Sequence, residues 1–173
     1  MLDRLIDLFV QFIRVFQICV VINEFERGVV LRLGKYNRII EPGLHWLWPV
    51  YYDRYYFANV VPESYDVRIQ NLTTADGVQI AIGTVLFYGI SDIRKFILEV
   101  EDAESVLINA TKGVVAGIIQ SYDYDELVQL ELAKEIYPEI ATKALDYGID
   151  VREVAISDFC KARSLRLMGV SGT

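Results

Sequence analysis

The side chains that could do chemistry in this sequence are few and scattered. His45 is the only histidine, and no candidate nucleophile lies beside it. Cys160 has neither the sequence signature of a nucleophile nor an identifiable partner base. The serine-elbow, zinc-protease, phosphate-loop and dinucleotide motifs are all absent from the sequence. We therefore predict no catalytic residue and no cofactor site, and we expect a protein that is not an enzyme.

Acidic side chains form two groups that could loosely bind a cation. The groups are Glu99, Glu101, Asp102 and Glu104, and Asp123, Asp125 and Glu126. Both groups open predicted helices, where carboxylates cap free amides and favour the positive end of the helix dipole. Cys19 and Cys160 are far apart and lack the spacing of metal ligands or of a disulfide framework. These patterns predict no metal site.

The formal charge of −7 excludes a nucleic-acid-binding protein, because no run of Lys or Arg supplies a basic surface. Residues 23–70 carry six acidic and six basic side chains, whereas residues 71–173 carry sixteen acidic and nine basic ones. An anionic bilayer would repel the acidic C-terminal part. The charge distribution therefore favours the N-terminal part as the end that approaches lipid.

The segment from Met1 to Ile22 is almost entirely apolar, with a narrow polar stripe at helical spacing. Arg14 interrupts the run of roughly 20 apolar residues that a membrane span needs, so an interfacial amphipathic helix is favoured. The side chains expected to reach acyl chains are Leu5, Phe9, Phe12 and Phe16. A spanning bundle with Arg14 paired to a neighbouring copy, a signal peptide without a clear cleavage site, and a helix packed on its own domain are the alternatives.

Extended structure is predicted after Asn23, with a strand over Val29–Leu33 and turns at Gly34 and at Pro42-Gly43. An unusual aromatic cluster follows: Trp46, Trp48, Tyr51, Tyr52, Tyr55, Tyr56 and Phe57. Tryptophan and tyrosine are enriched at membrane interfaces, so Trp46 and Trp48 are candidate membrane contacts. The alternative is that these aromatics fill a core from alternate strand positions, and the sequence favours neither.

Strand and helix patterns alternate in the rest of the chain. Even-numbered positions from Val78 to Ile90 form an apolar strand face that is broken only at Thr84, and apolar spacing predicts a helix over residues 101–120. A second helix is predicted over residues 125–147, kinked near Pro138 and ended by Gly148. A strand over Ile149–Ile156 and a short helix over Phe159–Met168 follow, so an α+β fold is predicted.

Four blocks resemble the SPFH, or band 7, family. They are ERGVVLRLGKY (Glu26–Tyr36), EPGLHWLWPVYYD (Glu41–Asp53), LTTADGVQIAIGTVLFYGISD (Leu72–Asp92) and YGIDVREVAISDF (Tyr147–Phe159). They keep the family's order and approximate spacing over roughly residues 20–160. Gly113 stands where many relatives carry an Arg, so helix packing there is expected to differ in detail. The family includes stomatins, prohibitins, flotillins and the Hfl regulators of a membrane protease.

The resemblance implies a mostly β first SPFH subdomain over residues 23–70 and an α/β second subdomain over residues 71–158. The residue patterns add a membrane-associated helix over residues 1–22 and a short C-terminal helix and tail over residues 159–173. It implies an oligomeric scaffold that binds membrane lipid and copies of itself, organises a membrane microdomain, and regulates a membrane protease or channel. We expect membrane localisation without a prediction of the face. Relatives continue into a long heptad helix, whereas this sequence ends at Thr173, so the alternative is a low-order membrane adaptor.

Overall fold

A computed structural model describes residues 19–48 and 52–162 of the chain. The described residues form an α+β fold of eight strands and four helices, as the sequence predicts. The strands are β1 (Cys19–Ile22), β2 (Glu26–Arg32), β3 (Lys35–Ile40), β4 (Gly43–Trp46), β5 (Asp53–Asn59), β6 (Glu63–Thr73), β7 (Gln79–Ile90) and β8 (Ile149–Lys161). The helices are α1 (Ile93–Leu98), α2 (Ala103–Ser121), α3 (Tyr124–Gln129) and α4 (Leu132–Asp146).

The chain divides into two compact units, each built from segments that are not contiguous in sequence. Among the described residues, the first unit contains those up to 63 together with 89–104 and 144–150, and the second contains 64–88, 105–143 and 151–162. The first unit holds the antiparallel pair β1–β4 and a sheet of order β3–β2–β5. The sheet of order β6–β7–β8 lies mainly in the second unit. The division into SPFH subdomains at residue 70 stays a prediction.

The turn predicted at Gly34 is confirmed, and it joins β2 to β3. Arg32 and Lys35 face each other in the ladder, so the turn has two residues, Leu33 and Gly34. Both have positive φ, 49° and 78°. This is the backbone of a type I′ turn, whose twist matches that of the flanking strands.

The alternating pattern predicted for β7 is also confirmed. Its even-numbered side chains Ile80, Ile82, Thr84, Leu86 and Tyr88 are all buried. In α2 the buried positions recur at three and four residues: Ala103, Leu107, Thr111, Val114, Val115 and Ile119. The hydroxyl of Thr111 donates to the carbonyl of Leu107, which satisfies a polar group inside this core.

Residues 19–22, predicted as the last turn of the N-terminal helix, are instead the strand β1. They pair with β4 in an antiparallel register from Cys19–Trp46 to Ile22–Gly43. Val20, Val21 and Ile22 are β-branched and favour extended backbone, and partner residues 21 to 27 positions away cannot be read from local periodicity. The rest of the predicted helix lies outside the described residues.

The break in the predicted helix over residues 125–147 falls at Leu130 and Glu131, and not near Pro138. Leu130 has extended backbone, and its amide bonds back to the carbonyls of Glu126 and Leu127. Pro138 lies inside α4. Gly148 follows α4 with a φ of 76°, which confirms the predicted glycine end of the helix.

The final strand extends further than predicted. Phe159, Cys160 and Lys161 belong to β8 and are not helical, whereas the rest of the predicted C-terminal helix and tail lies outside the described residues. The rings of Phe159 and Tyr124 stack with their centres 6.1 Å apart, and the Lys161 ammonium lies 3.8 Å from the centre of the Tyr124 ring. These contacts with α3 stabilise the extended backbone.

Asp92 caps the first turn of α1, and Asp92→Ala is expected to lower the free energy of unfolding by about 1 kcal/mol. Its Oδ1 accepts the amides of Arg94 at 2.9 Å and Lys95 at 3.2 Å, which otherwise have no partner within the helix. Urea unfolding of the variant and of Asp92→Ser, which retains a cap, would measure the effect. Equal stability of both variants and the wild-type chain would contradict this role.

Candidate membrane-contact surface

One side of the β1–β4 pair is apolar and open to solvent. Because strand side chains alternate and paired residues share a face, Cys19, Val21, Leu44 and Trp46 lie on one side. Val21 is 67% exposed, Leu44 59% and Trp46 69%. We call these four residues the ribbon face. It carries no charged side chain, and continuous exposed apolar surface of this kind is typical of an interaction site.

The opposite side of the same pair is part of the core of the first unit. Ile22 packs in one buried cluster with Val30, Ile40 and Leu47, and Val20 lies against it. A strand with one solvated side normally alternates apolar and polar residues. Strand β1 differs, because Val20 and Ile22 on its inner side are apolar and Val21 on its solvent side is apolar as well.

The backbone beside each tryptophan is held by a charged side chain. The Arg38 guanidinium donates to the Trp46 carbonyl at 2.8 Å, and the Trp48 amide donates to Asp53 Oδ2 at 3.1 Å. Trp48 is 64% exposed, and its ring lies 6.2 Å from that of Tyr52 at an angle of 49°. Both indoles are thus presented to the surroundings from an anchored backbone.

Asp53 is the centre of this anchoring network. Arg32 donates to Asp53 through Nε at 2.9 Å and through Nη2 at 3.2 Å, a bidentate pair. The Asp53 side chain has no exposed surface, whereas that of Arg32 is 40% exposed. The hydrogen bond from Arg32 is the largest cause that lowers the pKa of Asp53, with a smaller contribution from the Trp48 amide, against a desolvation effect that raises it. The carboxylate therefore stays ionised in the folded chain.

The remaining described aromatics of the cluster lie on both sides of β5. Tyr55 and Phe57 stack on each other with ring centres 6.2 Å apart, and Phe57 is 53% exposed. Tyr56 lies on the other side and is 46% exposed. The alternative in which Trp46 and Trp48 fill a core is wrong, because both are among the most exposed large side chains of the described residues.

The structure brings Trp46 and Trp48 together in one short segment but gives no placement for the other predicted contacts. Leu5, Phe9, Phe12 and Phe16 lie outside the described residues, as does Tyr51. Val21 and Leu44 belong to the exposed apolar surface and were not predicted. The run Cys19 to Ile22, which has no polar residue, is the sequence signal that could have indicated them.

The residues that the sequence offered as candidates for catalysis or metal binding either form hydrogen bonds within the fold or lie apart from one another. His45 Nε2 donates to the Glu41 carbonyl, and Asp123 forms a capping box with Glu126 at the start of α3. Cys160 is exposed on β8. Within the described ranges, His, Cys, Asp and Glu form no group of three that could hold a metal ion. None of the helices in those ranges is long and apolar enough to cross a bilayer.

Comparison with known proteins agrees with the fold. A family model described as the SPFH domain / Band 7 family matches residues 20–161. An uncharacterized protein of Methanocaldococcus jannaschii is 28% identical over 141 residues, which cover 80% of this chain and 70% of that protein. The modulator of FtsH protease HflK of Escherichia coli is 29% identical over 107 residues, covering 62% of this chain and 25% of that protein.

A third relative is the stomatin homolog of Pyrococcus horikoshii, 24% identical over 140 residues that cover 80% of this chain and 52% of that protein. This chain thus spans about a quarter of the HflK protein and about half of the stomatin homolog. The family model covers most of the sequence, including residues of both compact units and all of the ribbon face except Cys19. The chain therefore belongs to the SPFH domain / Band 7 family.

Proposed function

We propose that this chain is a membrane-associated scaffold that assembles with copies of itself, organises a membrane patch and regulates a membrane protease or channel. The observation that carries the attachment is the ribbon face, which is apolar, uncharged and exposed. It begins at Cys19, directly after the mostly apolar segment that precedes it in the sequence. We therefore expect the ribbon face and this preceding segment to contact the same bilayer.

Two tryptophans, Trp46 in the ribbon face and Trp48 beside it in the sequence, support a lipid partner over a protein partner. Indole rings are favoured where an apolar region meets hydrated headgroups. Trp46 and Trp48 supply two such rings, both with an anchored backbone, so little conformational freedom would be lost on contact. A shallow insertion of the ribbon face fits this geometry.

The proposed protease partner rests on one named relative. The Escherichia coli protein similar to this chain is called a modulator of the FtsH protease. We infer a regulatory role of the same kind for this chain, with the SPFH region as the shared part. No catalytic step is assigned to the chain itself.

The double variant Trp46→Ser/Trp48→Ser is expected to bind vesicles about tenfold more weakly, because the favourable transfer of two indole rings from water to the membrane interface is lost. Flotation of the full chain with phosphatidylcholine vesicles would measure the bound fraction. Phe87→Ser/Tyr137→Ser is the control, since it removes two aromatics from the second unit that are also exposed, at 38% and 40%. Equal flotation of the tryptophan and control variants would contradict contact through the ribbon face.

Self-assembly is tested separately, on membranes. Crosslinking of the full chain should give a ladder of self-contacts, and imaging of extracted particles should show repeated subunits. A single heterologous band without a ladder would instead support a low-order adaptor that binds one membrane protein. Light scattering that finds only monomers in the presence of lipid and detergent would exclude the scaffold.

A further inference from the structure

A polar cavity of about 220 Å³ lies in the second unit between β6 and α2. It is lined by Tyr65, Arg68, Ser105, Ile108, Asn109 and Lys112. The four helical residues are spaced at three and four positions, so they share one face of α2. The cavity is open to solvent, since Tyr65, Arg68, Ser105 and Asn109 are exposed, and its lining comes only from the regular elements β6 and α2.

The charges around this cavity are all of one sign. Arg68 and Lys112 both line it, and no carboxylate does. Neither cation forms an ion pair within the described part of the chain, whereas Lys134 pairs with Glu131 and Lys143 with Glu139 in the same unit. In a chain of net charge −7, two cations left without a carboxylate at one cavity are unexpected. An anion would relieve their mutual repulsion.

The cavity walls are fixed to each other. The Gln70 side-chain amide donates to the Lys112 carbonyl at 3.3 Å, which links β6 to α2 beside the cavity. Val67 is buried on β6 and Leu107 on α2, at positions next to Arg68 and Ile108. Such a site is preorganised, because the elements that carry the donors are already in place before a ligand arrives.

A cavity of similar volume in the first unit shows the contrast. It measures about 240 Å³ and includes Arg27, but Glu41 and Asp92 also line it. Its carboxylates offset the single cation and would repel an anion. The one-sign lining therefore distinguishes the cavity between β6 and α2 from a general surface depression.

We propose that the cavity between β6 and α2 binds a phosphate group. The planar guanidinium of Arg68 suits bidentate contact with phosphate oxygens, and the Lys112 ammonium supplies a second positive charge. The hydroxyl of Tyr65 and the amide of Asn109 provide neutral donors, and Ile108 provides an apolar wall. The phosphate could belong to a soluble phosphate ester or to a lipid headgroup, which offer the same oxygens.

Binding is tested first with inorganic phosphate, added to the isotope-labelled full chain in nonionic detergent at constant ionic strength. Saturable shifts of the NMR signals of Arg68 and Asn109 are expected. Arg68→Gln/Lys112→Gln should weaken the affinity at least about tenfold, because two charge-assisted contacts are lost. Asn109→Phe keeps both cations and fills the cavity, so it should weaken binding as well.

The matched control is Lys134→Gln/Lys143→Gln, which removes two cations from the same unit at a distance in sequence from the cavity lining. It should bind phosphate like the wild-type chain. A second arm compares flotation with phosphatidylcholine vesicles that contain or lack phosphatidic acid. Dependence on Arg68 and Lys112 in this arm assigns the phosphate to a headgroup, whereas a response to inorganic phosphate alone assigns it to a soluble ligand.

The proposal is overturned if neither probe responds, or if the site and control variants weaken binding equally, which would indicate general charge attraction. Thermal unfolding of each variant verifies that it is folded. The inorganic phosphate arm requires neither a bilayer nor self-assembly. Its result is therefore independent of whether the ribbon face contacts lipid.

Discussion

Gly28→Ala is expected to lower the free energy of unfolding by about 3 kcal/mol or more, because the strand β2 has no room for an added methyl group at this position. A Cβ at this position would lie 2.4 Å from the Tyr56 carbonyl oxygen, 3.1 Å from Phe57 Cβ and 3.2 Å from Ile40 Cγ1. The nearest atom belongs to backbone, so no side-chain rotation relieves the overlap. Strand β2 is paired on both sides, which leaves it little room to shift.

The measurement is urea unfolding at neutral pH, together with the near-ultraviolet circular dichroism of the aromatics. Gly113→Ala is the matched control, since Gly113 lies in α2 and an added Cβ would have no atom within 4 Å beyond its chain neighbours and the adjacent helix backbone. That substitution should raise stability by about 0.5–1 kcal/mol, because alanine favours helix and restricts the unfolded chain. If Gly28→Ala unfolds at the wild-type urea concentration, the close approach of β2 and β5 is not as described.

Features with a local cause were predictable from the sequence. The two-residue turn at Gly34 follows from a glycine that adopts positive φ without strain. The buried side of β7 follows from alternation, and α2 follows from apolar spacing at three and four residues. Gly148 marks the end of α4 for the same reason as Gly34, since glycine tolerates the left-handed backbone.

Three other features were not predictable from the local sequence. The strand β1 exists because Cys19–Ile22 pair with Gly43–Trp46, and local apolarity gives no sign of that partner. The break at Leu130 has no proline or glycine, whereas Pro138 is accommodated inside α4. The extension of β8 to Lys161 follows from its pairing with β7, and Lys161 also lies over the ring of Tyr124, 37 residues earlier. Pairing with distant strands overrides local preference at β1 and β8, whereas the break at Leu130 is a local feature that no residue type marks.

The sequence shows that the candidate membrane-contact surface is rich in aromatic residues, but it does not show which of their side chains are exposed together. The aromatic cluster is visible in the sequence, yet both a core and a surface fit its pattern. Only the register of β1 with β4 shows that Trp46, Leu44 and Val21 share one exposed side. The pairing of Arg32 with Asp53 joins residues 21 positions apart, and no spacing rule indicates it.

Asp53→Asn is expected to lower the free energy of unfolding by about 2 kcal/mol at neutral pH. The asparagine side chain has the shape of the aspartate side chain, but only its oxygen atom accepts hydrogen bonds and it has no charge to attract Arg32. The change should also loosen the segment that carries Trp48, whose amide bonds to Asp53 Oδ2. Trp46 and Trp48 are the only tryptophans of the chain, so their fluorescence reports on this region directly.

The pH dependence gives the prediction a second readout. The pKa of Asp53 is lower in the folded chain than the value of about 4 for an unfolded aspartate, chiefly because of the hydrogen bond from Arg32. The unfolded chain therefore binds the proton more readily, so this stabilisation is present above the unfolded pKa and is lost as pH falls through the folded pKa. Urea unfolding of wild-type and Asp53→Asn chains should accordingly differ most near neutral pH and converge in acid.

Asp150→Asn is the matched control, because Asp150 is exposed and the substitution makes the same change of charge. Its stability should follow the wild-type curve across the same pH range, and its tryptophan fluorescence should be unchanged. If Asp53→Asn behaves like this control, Arg32 and Asp53 do not anchor Trp48. Should Asp53→Asn instead lose stability and also bind vesicles less well, the loss in binding would follow from a mobile Trp48, because the substitution removes no apolar surface from the ribbon face.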